Sequence, residues 1–173
     1  GPSRPHAAFV YVAARGGFVR RAEVAELLWP GLDDAHAFGN LRQALRRIVN
    51  GPLGALLGRD RTGVWLDGDC DVAGFRQAVS ERRWRDALVA HHGPLLEGFE
   101  VDDADEFSAW LASERAAVAA DWRQACRALL TEANAEGRYG DALGYADRIV
   151  RADPLDEQAV REAMQAAAAD GDA

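Results

Sequence analysis

A chain of 173 residues that is 49% apolar is long enough for one large domain or two small ones, each with its own core. No apolar run nears the ~18 residues of a bilayer span, and no signal-peptide pattern opens the chain, so a cytoplasmic protein without a membrane partner is expected. The net charge of −8 argues at first against a nucleic-acid partner, and two distant cysteines, Cys70 and Cys126, argue against a disulfide framework or metal cluster.

In chain order, the first predicted helix runs from Pro5 to Arg15 on a stripe of Ala8, Phe9, Val12 and Ala13, and Gly16-Gly17 ends it. Gly1-Pro2 before it reads as a protease-cleavage scar. A second helix is expected from about Arg21 to Leu28, with Ala22, Val24, Ala25, Leu27 and Leu28 mostly inward, stopped by Trp29-Pro30-Gly31. The third starts near Asp33-Asp34, where carboxylates suit the positive helix end, and reaches about Val49. Leu41, Leu45 and Ile48 share its inner face, with Ala37, Phe38 and Ala44 beside them. Opposite lie His36, Gly39, Gln43, Arg46, Arg47 and Asn50, flanked by Asn40 and Arg42. Two strands, Leu56–Arg59 and Gly63–Leu66, are joined by the polar turn Asp60-Arg61-Thr62.

From Asp71 the pattern is helical only. Asp71 can cap a helix holding Val72, Phe75 and Val79, and a helix from about Arg82 to His91 carries Trp84, Ala87 and Leu88. Residues Gly93 to Phe99 read as a structured loop, followed by an acidic run from Glu100 to Glu106. A long helix from about Asp105 to Glu136 and two more, near Tyr139–Arg151 and Asp156–Ala169, close the chain.

Charge follows the same division. Residues 1–66 hold nine arginines against five acids, net +4, while residues 67–173 hold eleven against twenty-three, net −12. One segment tolerates a polyanion and the other repels it. All twenty basic residues are arginine, a usage that reflects genome composition bias.

Three short helices and a hairpin are the order of a winged helix-turn-helix. A helix held on two others, with hydrogen-bonding groups outward, fits the roughly 12 Å major groove and offers Arg to guanine or Gln to adenine. Gln43, Arg46 and Arg47 meet that need, and Arg46→Ala would then relax base preference. Arg20, Arg21, Arg42, Arg59 and Arg61 are candidates for phosphate contacts, with Arg61 at the wing tip. The competing reading is an ordinary solvated face, or an Arg46 paired to a neighbouring carboxylate.

The string Arg21-Ala22-Glu23-Val24-Ala25-Glu26-Leu27-Leu28-Trp29-Pro30, with Asn40-Leu41-Arg42-Gln43-Ala44-Leu45-Arg46-Arg47, resembles the DNA-binding domain of antibiotic-regulatory-protein (SARP-type) activators, itself similar to the winged helix of many response regulators. The resemblance implies that the helix from Asn40 to Ile48 is a recognition helix and that the hairpin around Asp60–Thr62 contacts the adjacent backbone. It also implies a small N-terminal sheet ahead of the first helix, where this chain begins.

Gly137-Arg138-Tyr139-Gly140-Asp141-Ala142-Leu143-Gly144-Tyr145-Ala146, leading to Ala152-Asp153-Pro154-Leu155-Asp156, resembles a tetratricopeptide turn, with a weaker echo at Trp84-Arg85-Asp86-Ala87-Leu88. The stretch from Asp71 onward, with Gly93 to Phe99, Asp105-Glu106-Phe107 through Trp110, and Glu114-Arg115, is similar to the bacterial transcriptional activator domain. That resemblance implies activation and self-association, and a further hairpin beyond Asp170-Gly171-Asp172-Ala173, so the chain reads as an excised piece of a longer protein.

The expected domains are 1–69, a winged-helix DNA-binding domain, and 70–173, tetratricopeptide-like hairpins, in a mainly α fold. The expected function is transcription activation, with double-stranded promoter DNA, RNA polymerase or other regulatory domains, and a second copy as partners. The alternative is a non-DNA-binding interaction scaffold. Trp84, Phe99, Trp110 and Trp122 would serve a partner surface or, more in keeping with their burial energy, the core. No phosphate loop, nucleophile elbow, calcium loop or metal-ligand spacing occurs, and His91-His92 point apart on a helix, so neither enzyme nor cofactor is expected.

Overall fold

The computed structural model describes residues 1–171; Asp172 and Ala173 lie outside the described residues. The elements in chain order are α1 (Arg4–Arg15), β1 (Val19–Arg20), α2 (Arg21–Leu28), α3 (Asp34–Val49), a 3₁₀ turn (Gly54–Leu56), β2 (Leu57–Arg59), β3 (Gly63–Leu66), α4 (Asp71–Ser80), α5 (Trp84–Ala90), α6 (Asp105–Ala135), α7 (Tyr139–Ala152) and α8 (Glu157–Gly171). The architecture is mainly helical with one small sheet. It divides into two compact units that no single cut along the chain separates. The first combines Gly1–Gly74 with Gly93–Ala116, and the second combines Phe75–His92 with the chain from Ala117 onward.

In the first unit α1 starts at Arg4, one residue earlier than predicted, because the His6 ring nitrogen accepts the Ser3 backbone N–H (3.1 Å) and closes the first turn. Its buried face is Ala7, Ala8, Tyr11, Val12 and Ala14, rotated from the predicted stripe; Phe9 and Ala13 are only half-buried. Tyr11 turns inward because its hydroxyl donates to Glu23 of α2 (2.5 Å). Burial, then Glu23, pushes that phenol up to about 12. Asp33 caps α3, its carboxylate accepting from the His36 N–H (3.1 Å), and the helix packs Ala37, Leu41, Ala44, Leu45 and Ile48 against α1 and α2. In α2, Val24, Ala25 and Leu28 are buried, Leu27 half-buried, and Ala22, predicted inward, is exposed.

The hairpin carries a third strand that periodicity did not predict. β1 pairs antiparallel with β3, Val19 opposite Val64, giving the order β1-β3-β2, and Leu56 leaves the predicted strand for the 3₁₀ turn. Val19, Leu57 and Val64 fill the inner face. On the other face the Phe18 ring lies over Gly63 and the Trp65 indole over Gly58, where a Cβ would sit 2.2 and 2.1 Å from them. Only glycine admits that approach. The two rings stack at 6.2 Å and 25°.

Gly93–Ala116 completes this unit. Arg115 donates to the carbonyls of Leu95 (2.9 Å), Leu96 and Phe99 (3.2 Å), pinning the loop before α6. Phe107 is fully buried between Phe99 and Trp110, and Trp110 meets the Tyr11 ring edge-on at 4.7 Å.

In the second unit a sequence echo becomes a repeated turn. The Arg83 N–H donates to the Ala78 carbonyl and the Arg138 N–H to Ala133, both at 2.8 Å. The Arg83 guanidinium spans Glu81 (2.7 Å) and Asp86 (2.5 Å), as that of Arg138 spans Glu136 (2.8 Å) and Asp141. Arg82 takes φ 55 where the second turn has Gly137 at φ 72. That left-handed residue is why α5 starts at Trp84 and not at Arg82. Small residues let the helices touch: Ala133, Ala142 and Ala166 form one core cluster, and Cys126, Ile149 and Ala159 another, with Leu88, Trp122 and Val150 against it. Asp156 caps α8 through the Ala159 N–H (2.9 Å) and pairs with Arg127 of α6 (2.6 Å). Both cysteines are free; Cys70 is half-buried, and burial pushes the Cys126 thiol up to about 11.

The His91 ring sits 5.6 Å from both Phe75 and Trp122. Burial foremost, then the charges of His92 and Arg148, holds it below the ordinary value of 6.5. Below that pH the unfolded chain binds a proton that the folded chain refuses. Stability is therefore full above about pH 6.5 and falls as pH drops toward the lowered folded value. Thermal melts at pH 7.5 and 5.5 should show a larger drop in Tm for the parent than for His91→Phe; equal drops would remove His91 from this account.

Candidate nucleic-acid interface

α3 presents its polar residues on three sides of an arc. Arg42, Gln43, Arg46 and Arg47 are exposed and Asn40 is half-buried. The arc follows from the helical period, because Leu41, Ala44, Leu45 and Ile48 take the buried side. Arg20 closes β1, Arg21 opens α2, Arg59 ends β2, and Arg61 stands in the hairpin turn; all are exposed except the half-buried Arg21.

The turn is built by Asp60. Its carboxylate accepts from the Gly63 N–H (2.7 Å), the Thr62 N–H (2.7 Å) and the Thr62 hydroxyl (2.8 Å). Those bonds, with the Arg21 charge, hold it below the usual carboxylate value. The Arg21 N–H donates to the Thr62 carbonyl (3.0 Å), which ties the start of α2 to the hairpin.

Two of the clefts along α3 gather its polar residues. One, of about 220 Å³, is lined by Arg21, Arg42, Leu45, Arg46, Val49, Asn50 and Arg59. The other, of about 470 Å³, brings Asn40, Gln43 and Arg47 together with Trp29, residues 2–5, Val101 and Asp102. The second cleft was not visible in the sequence, since Val101 and Asp102 lie more than fifty residues from α3. Arg4 clips this loop by donating to the Asp103 carbonyl. Arg20 and Arg61 line neither cleft.

Among the described residues, none of Arg20, Arg21, Arg42, Arg46, Arg47, Arg59 and Arg61 has a carboxylate at ion-pair distance. In the second unit Arg83, Arg85, Arg127, Arg138 and Arg151 each hold one. The pairing of Arg46 weighed above is therefore not made. Phe99, Trp110 and Trp122 are half-buried against Phe107, Tyr11 and His91 respectively, so these three serve packing, and Trp84 is half-buried at the start of α5. Among the described residues no group of His, Cys, Asp or Glu gathers as a metal site, and no helix is long and apolar enough to cross a membrane.

These features define a mainly helical protein whose chemistry is charge displayed on helix surfaces. Residues 68–173 match the bacterial transcriptional activator domain family, and the chain belongs to that family, one of transcription regulators. No individual curated protein matched the chain.

Proposed function

We propose that the chain is the DNA-binding and partner-binding part of a SARP-type transcription activator. In this reading residues 1–69 act as a winged helix-turn-helix, with α3 entering the major groove and the β2–β3 hairpin lying on the adjacent backbone. Residues 70–173 act as tetratricopeptide-like hairpins, a surface for RNA polymerase, a regulatory module or a second copy. The observation that carries the reading is the set of arginines on and around α3 that lack carboxylate partners. Solvated charge of one sign, gathered where a polyanion fits, supports electrostatic docking.

The test is a fluorescence-anisotropy titration with a mixed-sequence duplex pool at low and at physiological salt. Affinity should fall steeply with salt, because each neutralised phosphate contributes a log–log slope of about −0.9. Absence of binding at both salts would leave the scaffold reading, which the exposed Leu155 (88%) and Met164 (68%) favour.

A further inference from the structure

We infer that the cleft between the start of α2, the second half of α3 and β2 is a seat for a phosphate group, and that Arg46 clamps the duplex backbone there instead of reading a base. For its ligand's source this rests on the duplex-binding reading; the seat itself does not. Arg21, Arg42, Arg46 and Arg59 all line this one cleft, and no carboxylate lines it. Leu45 and Val49 give it an apolar wall, which strengthens any charge interaction inside.

The Arg21 Nε is the decisive atom. It is shielded from solvent and has no hydrogen-bond partner. A buried donor without an acceptor is costly, and a small shift of the side chain that turns it to an anion in the cleft removes the cost. Asp60 does not supply it: its Oδ1 is taken by Thr62 and Gly63, and its carboxylate makes no hydrogen bond to Arg21.

A base edge offers neutral acceptors and engages one guanidinium fork. Four arginines lining one small cleft match an anion with several oxygens, and a phosphodiester is that anion in DNA. Base reading then falls to the other flank of α3, to Gln43 and Arg47.

Two measurements on the whole chain test this. In the first, arginine Nε–Hε resonances are followed by NMR during titration with inorganic phosphate, against sodium chloride at matched ionic strength. The Arg21 resonance should shift saturably with phosphate only, the response should weaken severalfold in Arg46→Ala, and it should persist in Arg61→Ala. Equal shifts in chloride would overturn the seat. In the second, Arg46→Ala should weaken every duplex by the same factor, roughly tenfold, and reduce the salt slope by about 0.9. A changed preference at one base position with an unchanged slope would make Arg46 a base reader and overturn its role as a clamp. A phosphate response without duplex binding keeps the seat, assigns it to a free phosphate group, and sinks the duplex reading alone.

Discussion

Phe107→Ala is expected to lower stability by about 3–5 kcal/mol, the range for emptying a fully buried aromatic site. Phe107 is 0% exposed, and its neighbours Phe99 and Trp110 cannot both close the gap: Phe99 is tied through its carbonyl to Arg115, and Trp110 is engaged with Tyr11. A loss of that size is a large fraction of the whole stability of most domains, about 5–15 kcal/mol. Urea unfolding followed by tryptophan fluorescence should show the midpoint falling steeply, with Phe107→Leu costing far less. If Phe107→Ala costs under about 1 kcal/mol, the first unit is not organised around this side chain. The same packing bears on fragments of the chain. Tyr11 lies on α1, and the ring it meets, Trp110, lies on α6. A piece ending at residue 69 would leave Tyr11 without that partner.

Gln43→Ala and Arg47→Ala are the second pair of large effects, on sequence preference and not on stability. Each is exposed on α3, and alanine favours the helix, so folding should be unaffected or slightly improved. If the two side chains make bidentate contacts with base edges, each loss should cost about 1–3 kcal/mol of discrimination at one position of the preferred site, and the double variant should approach non-specific binding. Arg61→Ala in the hairpin turn should instead weaken all sequences alike. Selection of preferred duplexes from a random pool, repeated with each variant, separates these outcomes. A salt slope that falls in Arg47→Ala while its preferred sequence is kept would move Arg47 to the backbone.

Much of the helical frame could be read from local chemistry. Asp33 as a cap, Gly16-Gly17 and Pro30 as breaks, and the i, i+4, i+7 run of Leu41, Leu45 and Ile48 are short-range features, and α2 and α3 begin and end within a residue of where those features put them. The hairpin was readable because Asp60 makes its bonds within three residues. The turn before α5 was only faintly visible: it shares Glu81, Arg83 and Asp86 with Glu136, Arg138 and Asp141 of the later turn, but Arg82 at φ 55 stands where the later turn has the tell-tale Gly137.

Local chemistry therefore set the order of the helices, the β2–β3 hairpin and the side of α3 that faces out, because helix period, caps and turns act over a few residues. The tertiary structure alone decided the rest. β1 is two residues long, too short to have a period, and exists because β3 offers it an edge. Tyr11 turns inward because Glu23 of another helix accepts the hydrogen bond its hydroxyl donates. The polar arc of α3 divides into two flanks because Arg21 and Arg59 come to one side and Val101 and Asp102 to the other. Such contacts join residues distant in the chain, and no local preference encodes which distant partner a side chain will meet.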